Sequence, residues 1–220
     1  MQDTEIVYGV LWHLECMALS ANAIDNFRPP ADVFQMRMHY SVYITNLISA
    51  IDVVYEKFGK KFYNDIEKNI GMNACSGESV HSYVRELRNG VTHRGIDPAC
   101  GGVVVDGIVR AIAIPKVSNR ACNKSYDTPA NLLHEILMHF EINAKPVLIH
   151  YLDPLITHVV SVSPESILSN YIDELEGVRH MPEWAKGLAR EHTNSEVLIE
   201  AQCHQISKLR DLLKSTTWTN

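Results

Sequence analysis

No stretch of this chain stays apolar long enough to cross a bilayer. The longest runs are broken by His, Asp or Asn well short of the roughly 20 residues that a span needs, so no membrane partner is expected. A secretory signal would place a basic stretch ahead of an apolar one, whereas the first residues here include Asp3 and Glu5. The cysteines, at 16, 75, 100, 122 and 203, are scattered and odd in number, with no C-x-x-C pair. That argues against a disulfide framework and favours reduced thiols in a cytoplasmic protein. A Gly-rich phosphate loop, a nucleophile elbow and a dinucleotide fingerprint are all missing, so no cofactor is expected. His134-Glu135-Ile136-Leu137-Met138-His139 comes near the zinc-protease H-E-x-x-H, but its histidines are five apart and fall on different helix faces; no metal site is expected.

What the sequence does contain is ordinary globular material. Its 220 residues, 46% apolar and 21% charged, suit one sizeable domain or one domain with an appendage. The net charge of −6 is unevenly spread. Residues 57–124 hold eleven Lys/Arg against six Asp/Glu, and the remainder holds nine against twenty. A local basic field attracts a polyanion whatever the global sign; the plainer explanation is a solvated surface with uneven charge.

The apolar spacing predicts a mostly α-helical chain. A first amphipathic helix is expected over 4–26, ended by Arg28-Pro29-Pro30, and a second, capped by Asp32, runs about 26 residues to Gly59. A shorter helix at about 61–70 and a polar loop at 71–77 follow, then a helix from about Ser79 that carries Tyr83, Val84, Leu87 and Arg88. Asp106-Gly107 between β-branched runs predicts a hairpin with strands near 102–105 and 108–114. Asp127-Thr128-Pro129 starts a further helix that Pro146 is expected to kink or end. Later helices are expected after Ser163-Pro164-Glu165, around Pro182–Ala189 and at about 195–214. Residues 1–160 read as the main helical domain and 161–220 as a C-terminal helical extension packed on it. Tyr40, Tyr43, Tyr55, Phe58, Phe62 and Tyr63 sit at near-helical spacing and are expected in the core rather than on a base-stacking platform.

The richest local pattern is Arg88-Asn89-Gly90-Val91-Thr92-His93. An arginine grips phosphate with a two-pronged set of donors and a charge that does not titrate. A histidine exchanges protons near neutral pH. Together they are a minimal set for cleaving a phosphodiester without a metal. On an unbroken helix the two would lie about 140° apart. Asn89-Gly90 is a turn signal, and a helix loosened there would let them converge.

The pattern resembles the HEPN superfamily, in which an arginine, a following polar residue and a histidine a few residues later occupy the positions of Arg88, Asn89 and His93. The long apolar helix upstream, with another helix between, fits the same resemblance. It implies an antiparallel helical bundle acting as a metal-independent endoribonuclease, often a toxin or phage-defence effector. RNA is then the substrate, a homodimer forms the composite site, and a protein antitoxin or inhibitor is a further partner. On this basis His93 would act as general base or acid, Arg88 would bind the phosphate and Asn89 would orient a phosphate oxygen or the histidine. Arg85, Arg94, Lys60 and Lys61 would add substrate contacts. Glu56 and Lys60 also have the spacing of a stabilising i,i+4 helix pair, although some HEPN branches place an acidic residue and a basic pair upstream. One departure concerns the branch paired with nucleotidyltransferase antitoxins, whose tyrosine two residues after the histidine receives AMP. Gly95 stands there, so control by that modification does not carry over. The alternative expectation is a catalytically silent HEPN-like scaffold that binds RNA, nucleotide or a protein.

Overall fold

In a computed structural model, residues 2–218 are described, and they are mostly helical. Helix α1 (Asp3–Asp25) and helix α2 (Val33–Phe58) form an antiparallel pair. Asp3 meets Lys57, and His13 Nδ1 lies 2.7 Å from Asn46 Oδ1. The Asp32 carboxylate caps α2 by accepting from the N–H groups of Phe34 and Gln35 at 2.8 and 3.1 Å, as its position before the apolar run predicts. Gly59, at φ +64°, separates α2 from α3 (Lys60–Asn69). Glu56 and Lys60 therefore belong to different helices, and no ion pair joins them among the described residues.

Helix α4 (Gly77–Arg94) crosses α3 and packs on α2. A Cβ at Gly77 would lie 1.7 Å from the Glu67 carbonyl oxygen, so glycine is what lets the start of α4 meet the α3 backbone. Two hairpins follow. Strands β1 (Gly102–Val105) and β2 (Ile108–Ala111) pair antiparallel around Asp106-Gly107, as the turn signal predicts, although β2 is shorter than expected. The second hairpin, β3 (Lys116–Ser118) and β4 (Ser125–Asp127), lies in a stretch whose sequence carries no such signal. A buried ion pair fixes the first hairpin to α1, with Arg110 Nη1 2.6 Å from Asp25 Oδ1.

Helix α5 (Leu133–Val160) starts four residues later than Pro129 suggests and continues beyond Pro146 to include Pro154. The helix does not end at Pro146, for a local reason. Each proline leaves the carbonyl four residues earlier without its helical partner, at Ile142 and His150, and all four residues are exposed, so solvent can serve those carbonyls. His134 and His139 have separate surroundings: His139 Nε2 donates to the Gly71 carbonyl at 2.8 Å, while His134 packs near Trp218. Burial first, then the Arg110 charge, pulls the His134 pKa down to about 4.

The remaining helices are α6 (Pro164–Gly177), α7 (Glu183–His192) and α8 (Ser195–Lys214). They pack on the rest at different depths. The end of α8 and the residues after it complete the core, burying Ile206, Leu209, Leu213 and Trp218. Beneath them Glu141 and Lys145 form a buried pair on α5. Glu141 also accepts from Tyr43 Oη at 2.5 Å and Thr217 Oγ1 at 2.6 Å, and Lys145 donates to the Ser215 carbonyl at 2.6 Å. Such a pair is tolerated in the interior because its remaining donors and acceptors are served. Helices α6 and α7 lie outboard: α6 packs on α8, and α7 packs mainly on α6. Of the six aromatic residues expected inside, Tyr40, Tyr43 and Phe62 are fully buried and the other three half-buried.

Candidate functional site

The last two turns of α4 carry the motif, and their geometry differs from the expectation in one decisive respect. The helix does not loosen at Asn89-Gly90; it continues to Arg94. Gly90 is buried, and a Cβ there would approach Ile96 Cδ1 to 2.6 Å. The missing side chain makes room for Ile96 to fold back over the helix end. Gly95 takes the left-handed conformation at φ +66°, and the Ile96 N–H then bonds the Gly90 carbonyl at 3.1 Å. The Asn-Gly dipeptide thus serves the packing of the helix terminator and breaks nothing.

With the helix intact, Arg88 and His93 leave it in directions about 140° apart. Arg88 turns toward α2 and α3. Its Nη2 lies 2.6 Å from Asp52 Oδ2, and the other carboxylate oxygen accepts from Tyr63 Oη at 2.6 Å. Burial, and then the hydrogen bond to Asp52, raises the Tyr63 phenol above its ordinary range. Tyr55 stacks on Tyr63 with ring centroids 3.9 Å apart, and the Arg85 guanidinium stands 5.8 Å from the Tyr63 ring centroid. Arg88 Nε is buried without a hydrogen-bond partner among the described residues. Asp52 and Tyr63 are the members of this cluster that the sequence reading missed. A signal did exist, because Asp52 is the one carboxylate in the stretch 38–55.

His93 turns the other way. With Glu86, Asn89, Arg94, Asn119, Arg120 and Ala121 it lines a pocket of about 730 Å³ between the end of α4 and the β3–β4 loop. Arg94 forms the joint between these walls: Nη1 donates to the Ser118 carbonyl at 2.8 Å and Nη2 to the Glu86 carbonyl at 3.2 Å. Asn89 Nδ2 donates to Glu86 Oε1 at 3.3 Å. His93 and Arg120 are exposed, and among the described residues neither side chain makes a hydrogen bond or ion pair.

Of the seven residues proposed from sequence, Asn89, His93 and Arg94 meet in this pocket, whereas Arg88 does not line it. Arg85 belongs to the Tyr63 side. Lys60 and Lys61 are exposed at the start of α3, where Lys61 Nζ lies 5.8 Å from the Tyr151 ring centroid. Glu86, Asn119 and Arg120 were not foreseen. The latter two come from a loop some 25 residues downstream of His93, brought in by a hairpin with no sequence signature. Searches against family models, curated proteins and solved structures return no match to this chain.

Proposed function

We propose that this protein is a metal-independent endoribonuclease of HEPN type, acting as a homodimer. The observation that carries this reading is the pocket at the end of α4, where an uncommitted histidine shares a solvent-open space with two arginines and two asparagines. An imidazole beside fixed positive charge suits transesterification of RNA. His93 takes the proton from the ribose 2′-hydroxyl, and the 2′-oxygen bonds to the adjacent phosphorus as the bond from phosphorus to the 5′-oxygen breaks. The leaving oxygen collects a proton from water. The products are a 2′,3′-cyclic phosphate and a 5′-hydroxyl. General acid–base help of this kind is worth about 10²–10⁴-fold, and a guanidinium placed where charge builds up adds to it.

Arg88 and His93 diverge within one chain, so this reading requires Arg88 of one copy to face His93 of the other across a two-fold axis. A toxin or phage-defence role, controlled by an antitoxin or inhibitor protein, fits the same chemistry. A second reading is favoured by the Arg88–Asp52 pair: an arginine already neutralised by a carboxylate suits a silent scaffold that binds RNA, nucleotide or a protein.

The experiment is cleavage of end-labelled RNA in EDTA by wild type, Arg88→Ala and His93→Ala. Cleavage with cyclic-phosphate ends that both variants lose by at least about 10²-fold supports the nuclease. Absence of cleavage by a folded wild-type protein favours the scaffold, and equal activity in all three overturns the assignment to this motif.

A further inference from the structure

We infer that Arg120 is the phosphate-binding residue of the His93 pocket, and that the β3–β4 loop exists in its present form to hold it there. This rests on the ribonuclease reading for the identity of the ligand, a phosphodiester of RNA, but its geometric basis is independent of that reading.

Four observations converge. First, the pocket's two arginines are in different states. Arg94 spends its donors on the Ser118 and Glu86 carbonyls, and its Nη2 lies 4.0 Å from Glu86 Oε2, which offsets its charge. Arg120, exposed in the pocket's lining, has no such partner among the described residues, so its donors are left for a ligand. Second, Arg88, the arginine that the sequence pattern nominates, is engaged by Asp52 on another side of α4. Within a single chain, therefore, the arginine free to reach a phosphate at His93 is Arg120.

Third, the loop that carries Arg120 is stapled. Asn119 Oδ1 accepts from the N–H groups of Asn123 and Lys124, each at 3.2 Å, and Asn119 Nδ2 donates to Asn123 Oδ1 at 2.8 Å. The Asn119 backbone N–H donates to the Lys124 carbonyl at 3.0 Å, and its carbonyl accepts from the Cys122 N–H at 3.0 Å. Nearly every polar group of Asn119 thus serves to close the loop, and Arg120 is the next residue. A cation on a pre-ordered loop loses less freedom on binding than one on a slack loop. Fourth, the Arg94–Ser118 bond locks that loop to the helix end that bears His93, so the two sides of the pocket keep a fixed spacing. Asn119 and Arg94 are positioning residues, and Arg120 is the one that meets the ligand.

The test uses the full chain with two probes: inorganic phosphate, followed through the NMR resonances of the His93 imidazole, and a fluorescent 2′-O-methyl RNA oligonucleotide, which lacks the hydroxyl needed for cleavage. Wild type is compared with Arg120→Ala, Arg120→Lys and Lys124→Ala. Lys124 is an exposed cation of the same loop that does not line the pocket. The expected result is that phosphate moves the His93 signals and the oligonucleotide binds. Arg120→Ala should then weaken both by about tenfold, Arg120→Lys should recover part of the loss, and Lys124→Ala should stay within about twofold. Loss of phosphate binding in Arg120→Ala, from a wild type that neither binds nor cleaves RNA, would support the subsite and overturn the ribonuclease reading. Unchanged binding of both probes by Arg120→Ala would overturn the subsite, even if wild type cleaves RNA. An equal loss in Lys124→Ala would also overturn it, by showing diffuse attraction in place of a site.

Discussion

Two sides of one helix treat their cations in opposite ways. On the side of α4 that meets α2 and α3, Arg88 is held by Asp52, which is held in turn by Tyr63, and the group is half-buried. On the side that meets the β3–β4 loop, His93 and Arg120 have no partner among the described residues and face a pocket. The first arrangement spends its polar groups on protein and contributes to stability; the second leaves them for a ligand. A residue's chemical type does not reveal which state it is in, because both sides offer an arginine and a histidine or phenol. The difference lies in whether a carboxylate from another helix reaches it first.

The largest expected effect breaks both sides at once. Gly77 sets α4 against the α3 backbone, and a methyl group there has no room beside the Glu67 carbonyl. Gly77→Ala should cost about 3 kcal/mol or more, read as a large drop in the chemical-denaturation midpoint. A change within error would mean that α3 and α4 are not so closely apposed.

Single-sided variants sharpen the comparison. Asp52→Ala removes the acceptor shared by Arg88 and Tyr63, and a loss of roughly 1–2 kcal/mol is expected, moderated because the Arg88–Asp52 pair is partly exposed. Arg120→Ala, exposed and unpartnered, should leave stability within about 0.5 kcal/mol of wild type while weakening the binding of phosphate and RNA. If Arg120→Ala destabilised the protein as much as Asp52→Ala does, the contrast between the two sides would collapse.

Much of the helical framework could be read from the sequence because the apolar periodicity is strong and the punctuation local. Asp32, Gly59 and Ser163 mark boundaries that the structure keeps. Asp106-Gly107 likewise gave its hairpin. Errors arose where a local signal was overruled by its surroundings. Pro146 reads as a helix end, but its exposed position lets the helix run on. Asn89-Gly90 reads as a turn, but the glycine is consumed by the packing of Ile96. Residues 161–220 read as an extension packed on the main bundle, and within them Trp218 and the end of α8 bury against it beside Glu141 and Lys145, which no local signal announces.

The candidate site was half legible. Asn89, His93 and Arg94 share the last two turns of α4 and a pocket, so their proximity in sequence carried over. Asp52, Tyr63 and Arg120 reach the motif through tertiary contacts across some 25 to 36 residues of chain, and no local pattern reports such contacts. Helical spacing places Tyr55 and Tyr63 with the core, and both pack against it half-buried, but spacing does not report the Asp52 partner of Tyr63.

The most direct test of the central claim is a complementation assay. Arg88→Ala and His93→Ala chains are co-expressed and the mixture is assayed for RNA cleavage in EDTA. If Arg88 of one copy serves His93 of the other, each mixed dimer holds one intact site, and random assortment should restore about a quarter of wild-type activity from two inactive parents. A mixture that stays inactive although wild type cleaves and the mixed dimer forms, or a wild-type chain that cleaves as a monomer, would contradict the shared site.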